Sequence, residues 1–241
     1  MRNNSYGLLA AIIAIVALAL IGQRVAAEPP IGSHIDRAPD VGPSRSGNDA
    51  VRAMHTFARC ASKYRHSSAL KWLTDLDPKG QDISRKRLYN HMECEFLFGV
   101  GGQGLHIDDS LYRGAIAEAI LKDEGYLDRR VLDAPPAVPQ RTYARGWFSI
   151  TGRNPVVDET SVCVSEVYAE GVYNLLRTEQ PSLEERAAVV GLSEVLGKCL
   201  VQGAVLKADI PALRAALAEA YFHRFYVAKP ASLMAPGGDR E

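Results

Sequence analysis

Neither sign of charge is in excess in this 241-residue chain, where 28 Lys and Arg stand against 28 Asp and Glu. That balance offers no general attraction to nucleic acid or to an anionic membrane, so neither is expected as a partner. Long apolar runs are also scarce. The uncharged stretch from Gly7 to Gly22 has 16 residues, short of the roughly 20 that a membrane-spanning helix needs. No cysteine stands directly after that stretch, which argues against a lipid-modified N-terminus there. No residue set stands out as a catalytic, cofactor or metal centre, so the expectation is no catalytic residues, no cofactor and no metal.

What the ends do carry reads as export. Arg2, the apolar run from Leu8 to Ile21 and the small residues Val25-Ala26-Ala27 have the order of a secretory signal peptide over 1–27. Its removal takes Arg2 and Arg24, leaving 26 basic residues against 28 acidic, a net charge of about −2 on roughly 210 residues. A chain of that length can bury a real core, and no stable membrane insertion is expected after cleavage. Localisation is expected to be periplasmic or secreted. Four cysteines in an oxidising compartment are expected to be bonded.

The mature part contains the same pattern twice. CASKYRHSSALKWLTDLDP from Cys60 and CVSEVYAEGVYNLLRTEQP from Cys163 align without a gap at an offset of 103. Cys94 then matches Cys199, and IDDSLYRGAIAEA from Ile107 matches ADIPALRAALAEA from Ala208, with Glu118 and Glu219 in step. Apolar residues at helical spacing give each copy a four-helix outline. The predicted fold is all-α: two copies of a disulfide-stapled helical unit forming a bundle, joined by an irregular Pro/Gly-rich linker. The expected organisation is a flexible segment over 28–47, copy one over 48–124, the linker over 125–155, copy two over 156–228 and a disordered tail over 229–241. Tyr143, Trp147 and Phe148 suggest that the linker docks on a copy.

In copy one, a helix from Asp49 to Tyr64 presents Ala50, Ala53, Met54, Phe57, Cys60, Ala61 and Tyr64 on one face. A short helix carrying Leu70, Trp72 and Leu73 stops before Pro78. In copy two, Ser182 and Glu185 have capping-box spacing, Leu192, Val195, Leu196 and Cys199 share a stripe, and Asp209 is placed to cap the last helix. The repeat singles out the pairings Cys60–Cys94 and Cys163–Cys199. A zinc site from His55, Cys60, His91 and Cys94 is the competing reading of copy one. Copy two has Asp158 and Leu196 where those histidines stand, which favours disulfides.

Three further motifs are weak. Gly99, Gly101 and Gly104 satisfy G-x-G-x-x-G without a preceding strand, and read as an interhelical loop. His66 beside Ser67 and Ser68 lacks an acid to orient the imidazole. Asp75 and Asp77, like Asp108 and Asp109, read as helix-end residues rather than calcium ligands. One difference between the copies is informative: Leu192, Val195 and Leu196 stand in copy two where copy one has Arg87, Asn90 and His91. These three polar residues form a possible binding patch.

The phrases RCASKYRHSSALKWL, CVSEVYAEGVYNLL and SLYRGAIAEA resemble a family of uncharacterised exported proteins of sphingomonad-type bacteria, over most of the mature chain. The resemblance implies cysteine-bearing helical segments ending in an AEA helix, and carries no activity. The Arg87-Asn90-His91 face departs from the apolar pattern it implies. The expected function is that of a non-enzymatic exported interaction or scaffold protein with an unknown protein partner. The alternatives are a small-molecule-binding protein using the groove between copies, or an uncharacterised hydrolase.

Overall fold

The computed structural model describes residues 47–90, 92–95, 108–127 and 143–227. The signal segment, the glycine loop around Gly101, His91 and the tail lie outside the described residues, as do most of the segment over 28–47 and the central part of the linker. All regular structure among the described residues is helical, with no strand.

The N-terminal half comprises α1 (Gly47–Tyr64), α2 (His66–Thr74), α3 (Pro78–Tyr89), α4 (Met92–Glu95) and α5 (Asp109–Asp123). After a 3-10 turn over Gly146–Ile150 come α6 (Pro155–Val167), α7 (Ala169–Leu176), α8 (Leu183–Gly191), α9 (Ser193–Cys199) and α10 (Ile210–Phe222), closed by a π-type turn over His223–Val227. Helix starts follow local chemistry. Asp77, Asp108, Asn154, Ser182 and Asp209 each accept a backbone N–H at an N-terminus, satisfying donors that the first turn leaves open. Pro78, Pro155 and Pro211 occupy first-turn positions, where the missing N–H costs nothing.

The core is organised around α5 and α10, which pack on each other; α1 lies on α5 and α6 lies on α10. Both central helices are buried on every side, from Tyr112 to Leu121 and from Leu213 to Phe222. Their close approach is set by Gly114. A Cβ there would stand 2.5 Å from the Ala215 carbonyl oxygen and nearer still to Ala215 Cα and Cβ. Gly114→Ala should therefore force two backbones apart, at a cost of about 3 kcal/mol, the upper part of the overpacking range. Gly197 on α9 has open space around it, so Gly197→Ala should stabilise by about 0.5–1 kcal/mol through helix propensity. Urea melts of the two variants should move in opposite directions; equal shifts would contradict the packing.

The cysteines are bonded as Cys60–Cys94 and Cys163–Cys199, each with Cα atoms 5.7 Å apart. The two bridges tie α1 to α4 and α6 to α9. With their sulfurs so used, Cys60 and Cys94 are not available as thiolate ligands for zinc, and the described residues hold no group of three or more side chains suited to a metal. The bridges point to an oxidising compartment. No described helix is long and apolar enough to cross a membrane.

Several local expectations are corrected. Tyr64 faces out, because the buried stripe of α1 runs through Ala53, Met54, Phe57, Ala58 and Ala61 and has rotated away by the last turn. The helix expected through Leu192 and Cys199 breaks at Leu192 into α8 and α9, keeping Leu192, Leu196 and Cys199 buried. Ser182 caps α8, but the Glu185 carboxylate turns inward to Arg214 instead of completing the capping box. The docking expected of the linker's aromatic cluster is seen at Trp147, which is buried and stacks on His223 with ring centroids 4.3 Å apart.

Candidate functional site

The largest concentration of charge lies inside the molecule, on the α5–α10 seam. Each helix carries an arginine and, five residues later, a glutamate: Arg113 and Glu118 on α5, Arg214 and Glu219 on α10. Side chains five apart do not meet on one helix, unlike those three or four apart, so the charges pair across the seam. Arg113 Nε and Nη2 donate to Glu219 Oε1 at 3.1 and 2.6 Å. Arg214 Nε and Nη2 donate to the two Glu118 oxygens at 2.9 and 3.0 Å.

The two arginines are used alike. Arg113 also donates to the carbonyls of Trp72 and Leu73 at the end of α2 and to Gln81 Oε1 in α3. Arg214 donates to the carbonyls of Leu176 and Thr178 at the end of α7 and to Glu185 Oε1 in α8. Each guanidinium thus joins carbonyls at one helix end, a polar side chain in the first turn of the next helix, and a glutamate on the opposite central helix. Around this core Arg153 pairs with Glu219 and Asp158, Lys122 with Glu118, and Gln180 donates to Glu118. The balance is four cations against four carboxylates.

Burial alone would push Glu118 and Glu219 up, but facing arginines override it and hold both carboxyls down at about 2. For Asp158 burial prevails and its carboxyl is raised despite Arg153. His55, with Nδ1 4.0 Å from Glu118 Oε2, and His223, against Trp147, are both pushed down to about 4 by burial. Both imidazoles are therefore neutral at pH 7, where Arg214 and Lys122 hold Glu118 ionised.

Acid should weaken the fold in two stages. Each histidine has a folded pKa below its unfolded 6.5, so the unfolded chain takes up protons first as pH falls. Stability that is complete above pH 6.5 drains between pH 6.5 and 4, by at most about 3 kcal/mol per histidine at about 1.4 kcal/mol per unit. Glu118 and Glu219 then remove more between their ordinary 4.5 and about 2. Chemical denaturation from pH 7 to 4 checks this: His55→Gln should flatten the first stage by one proton's worth of slope. An unchanged slope would show that His55 titrates normally.

Of the sequence-predicted patch, Arg87 and Asn90 lie on the wall of an open hollow of about 500 Å³ that Arg65, Ser68 and Lys86 also line. His91 is outside the described residues. A second hollow, of about 360 Å³, is lined by Asn174, Arg177, Thr178, Glu179 and Glu184. Neither is lined by α5 or α10, whose seam is filled by the ion pairs just described.

The remaining candidates have structural partners. The acid missing beside His66 in sequence is supplied by Glu124, whose Oε1 is 3.5 Å from Nε2, with the side chains 37 % and 44 % exposed. Such an exposed pair is worth little, and Ser67, adjacent in the helix, points elsewhere. Arg65, not a serine, stands at the N-cap of α2. Asp77 and Asp108 are caps, Asp75 accepts the Asp77 N–H, and Asp109 accepts from Tyr89 and Arg85.

Sequence reasoning aligned Glu118 with Glu219 but missed the buried network. The available signal was an Arg and a Glu at equal spacing on two helices otherwise apolar on every face. His55 and Asp158, which are 103 positions apart in the sequence, both reach this network. No family model, no curated protein and no solved structure matches the chain.

Proposed function

We propose that the chain is an exported interaction or scaffold protein, periplasmic or secreted, built from a duplicated helical unit that presents a helical face to a protein partner. The duplication is supported by the reciprocal use of Arg113 and Arg214, since corresponding residues contact corresponding helix ends and each other's glutamates. The two bridges, which join equivalent cysteines, support both the duplication and the oxidising destination.

The observation that carries the interaction reading is the apolar stripe on the outer side of α8. Leu183 and Val190 are 76 % and 71 % exposed, with Ala187 exposed between them at helical spacing. On the inner side of the same helix Glu185 is buried. A surface helix ordinarily turns its apolar stripe inward and its charges outward. A continuous apolar stripe facing water is the mark of a surface that another molecule covers.

The test is a photo-crosslinking amino acid at position 190, with position 194 on the polar face of α9 as control. Crosslinking in intact cells of the source should yield a discrete adduct with one protein at 190 and none at 194, and Leu183→Lys should abolish it. No adduct at 190, or the same adducts at 194, would refute the reading.

A further inference from the structure

The hollow beside α2 differs in kind from the rest of the surface. Its walls come from the α1–α2 junction (Arg65), the first turn of α2 (Ser68) and the end of α3 (Lys86, Arg87, Asn90). All five residues can donate hydrogen bonds, three are cations, and no carboxylate lines it. Lys86 pairs with Asp82 at 2.7 Å, while the guanidinium groups of Arg65 and Arg87 have no carboxylate partner among the described residues. Helix α2 begins without a side-chain cap, so its first N–H groups add partial positive charge at this end.

Ser68, in the first turn of α2, is largely buried and also lines the hollow, so its hydroxyl is a further donor for a ligand oxygen there.

The other half of the chain shows what the same place looks like when closed. At the offset of 103 Arg65 and Ser68 correspond to Tyr168 and Gly171, and at the offset of 105 that matches Cys94 with Cys199, Arg87 corresponds to Leu192. There Tyr168 and Leu192 press on Gly171 so closely that a Cβ on it would come within 2.7 Å of Leu192 Cδ2. One half packs an aromatic and an aliphatic side chain against a glycine. The other has replaced those three residues with two arginines and a serine around open space. This comparison rests on the duplication proposed above; the cations, the hydroxyl and the hollow stand without it.

We propose that this hollow is a binding site for a phosphate group, with Arg65, Arg87 and Ser68 as its principal donors and Lys86 and Asn90 beside them. Two guanidinium forks, a hydroxyl and a helix start come from the beginning of α2 and the end of α3, which suits a tetrahedral anion with several oxygens better than a planar carboxylate. The volume exceeds that of a bare phosphate, which leaves room for the organic part of a phosphomonoester.

Calorimetric titration of the disulfide-intact protein at low ionic strength tests the assignment, with inorganic phosphate and glycerol phosphate as probes and chloride as the control. Saturable one-to-one binding at about 1 mM or tighter is expected for at least one phosphate probe, and none for chloride. Arg65→Gln with Arg87→Gln should weaken it at least about tenfold. Ser68→Ala should weaken it several-fold while the thermal midpoint of all variants holds, and Lys71→Gln should leave binding unchanged. Tighter binding of glycerol phosphate would assign a monoester, and equal binding the free ion. Absence of saturation at about ten times that concentration, or equal affinity in the double-arginine variant, overturns the site. Crosslinking at 190 on α8 is unaffected by either result, so the two proposals fail separately.

Discussion

Glu219→Gln is expected to cost about 5 kcal/mol or more, enough to leave little folded protein at 37 °C. Glu219 is fully buried and is the carboxylate on which two buried guanidinium groups converge: Arg113 on Oε1 and Arg153 on Oε2. An amide of the same shape keeps the volume and one acceptor but removes the charge, leaving two buried cations with Asp158 as their remaining counter-charge. Breaking one buried pair by removing a single partner typically costs about 3–5 kcal/mol, because the surviving charge is stranded in low dielectric. Here one substitution strands Arg113 and leaves Arg153 with Asp158 alone. Glu118→Gln is the internal comparison. Arg214 would keep Glu185 at 3.1 Å, so its loss should be nearer about 3 kcal/mol. Urea unfolding of the two variants, followed by circular dichroism, reads the difference directly. Equal losses, or a Glu219→Gln protein as stable as the parent, would mean that water reaches the seam and the charges are not isolated.

The parts of this arrangement that were legible in the sequence are those that depend on neighbours along the chain. The N-caps at Asp108, Ser182 and Asp209 and the apolar spacing of α1 all follow from local rules. The cysteine pairs were legible for another reason: repetition supplied the long-range information that spacing alone lacks. Local rules gave out where a residue's partner arrives from elsewhere. Tyr64 continues the apolar spacing of α1 yet is 55 % exposed, and Leu192 ends α8 because its side chain is needed in the core.

The same limit applies to function. Glu124 reaches His66 across 58 residues, and nothing near His66 announces it. Arg87 and Asn90 stood out because they replace apolar residues at matching positions. Arg65 and Ser68, which complete that wall, did not, because they lie on other elements and look like ordinary surface residues in isolation. The apolar face of α8 was hidden for the converse reason. Leu183 and Val190 would read as core in any helix, and only a three-dimensional neighbourhood shows that Glu185 has taken the inner position.

Full reduction of the two bridges is expected to unfold the protein at ambient temperature in the absence of denaturant. Cys60–Cys94 and Cys163–Cys199 close segments with sequence separations of 34 and 36. In the chain-entropy account each closure restricts the unfolded state by about 3 to 4 kcal/mol. Together that is about 7 kcal/mol, comparable with the whole stability of an ordinary domain, about 5–15 kcal/mol. The core makes this chain more dependent on them than its size suggests. Its centre holds four carboxylates and their cations where apolar side chains would contribute by burial, and buried ion pairs add little net stability over an apolar replacement. The bridges also hold the short helices: α4 has four residues and α9 seven, too few to persist without tertiary support. Each carries one cysteine that anchors it to a longer helix of its own half. Circular dichroism in excess reductant should show loss of most helical signal, with recovery on reoxidation. Single-bridge variants Cys94→Ser/Cys60→Ser and Cys163→Ser/Cys199→Ser should each lose about half of the total. Retention of a cooperative melt near the parent midpoint after complete reduction would show that the ionic seam and the apolar layer around it suffice, and that the sulfur bonds only record the compartment in which the chain folds.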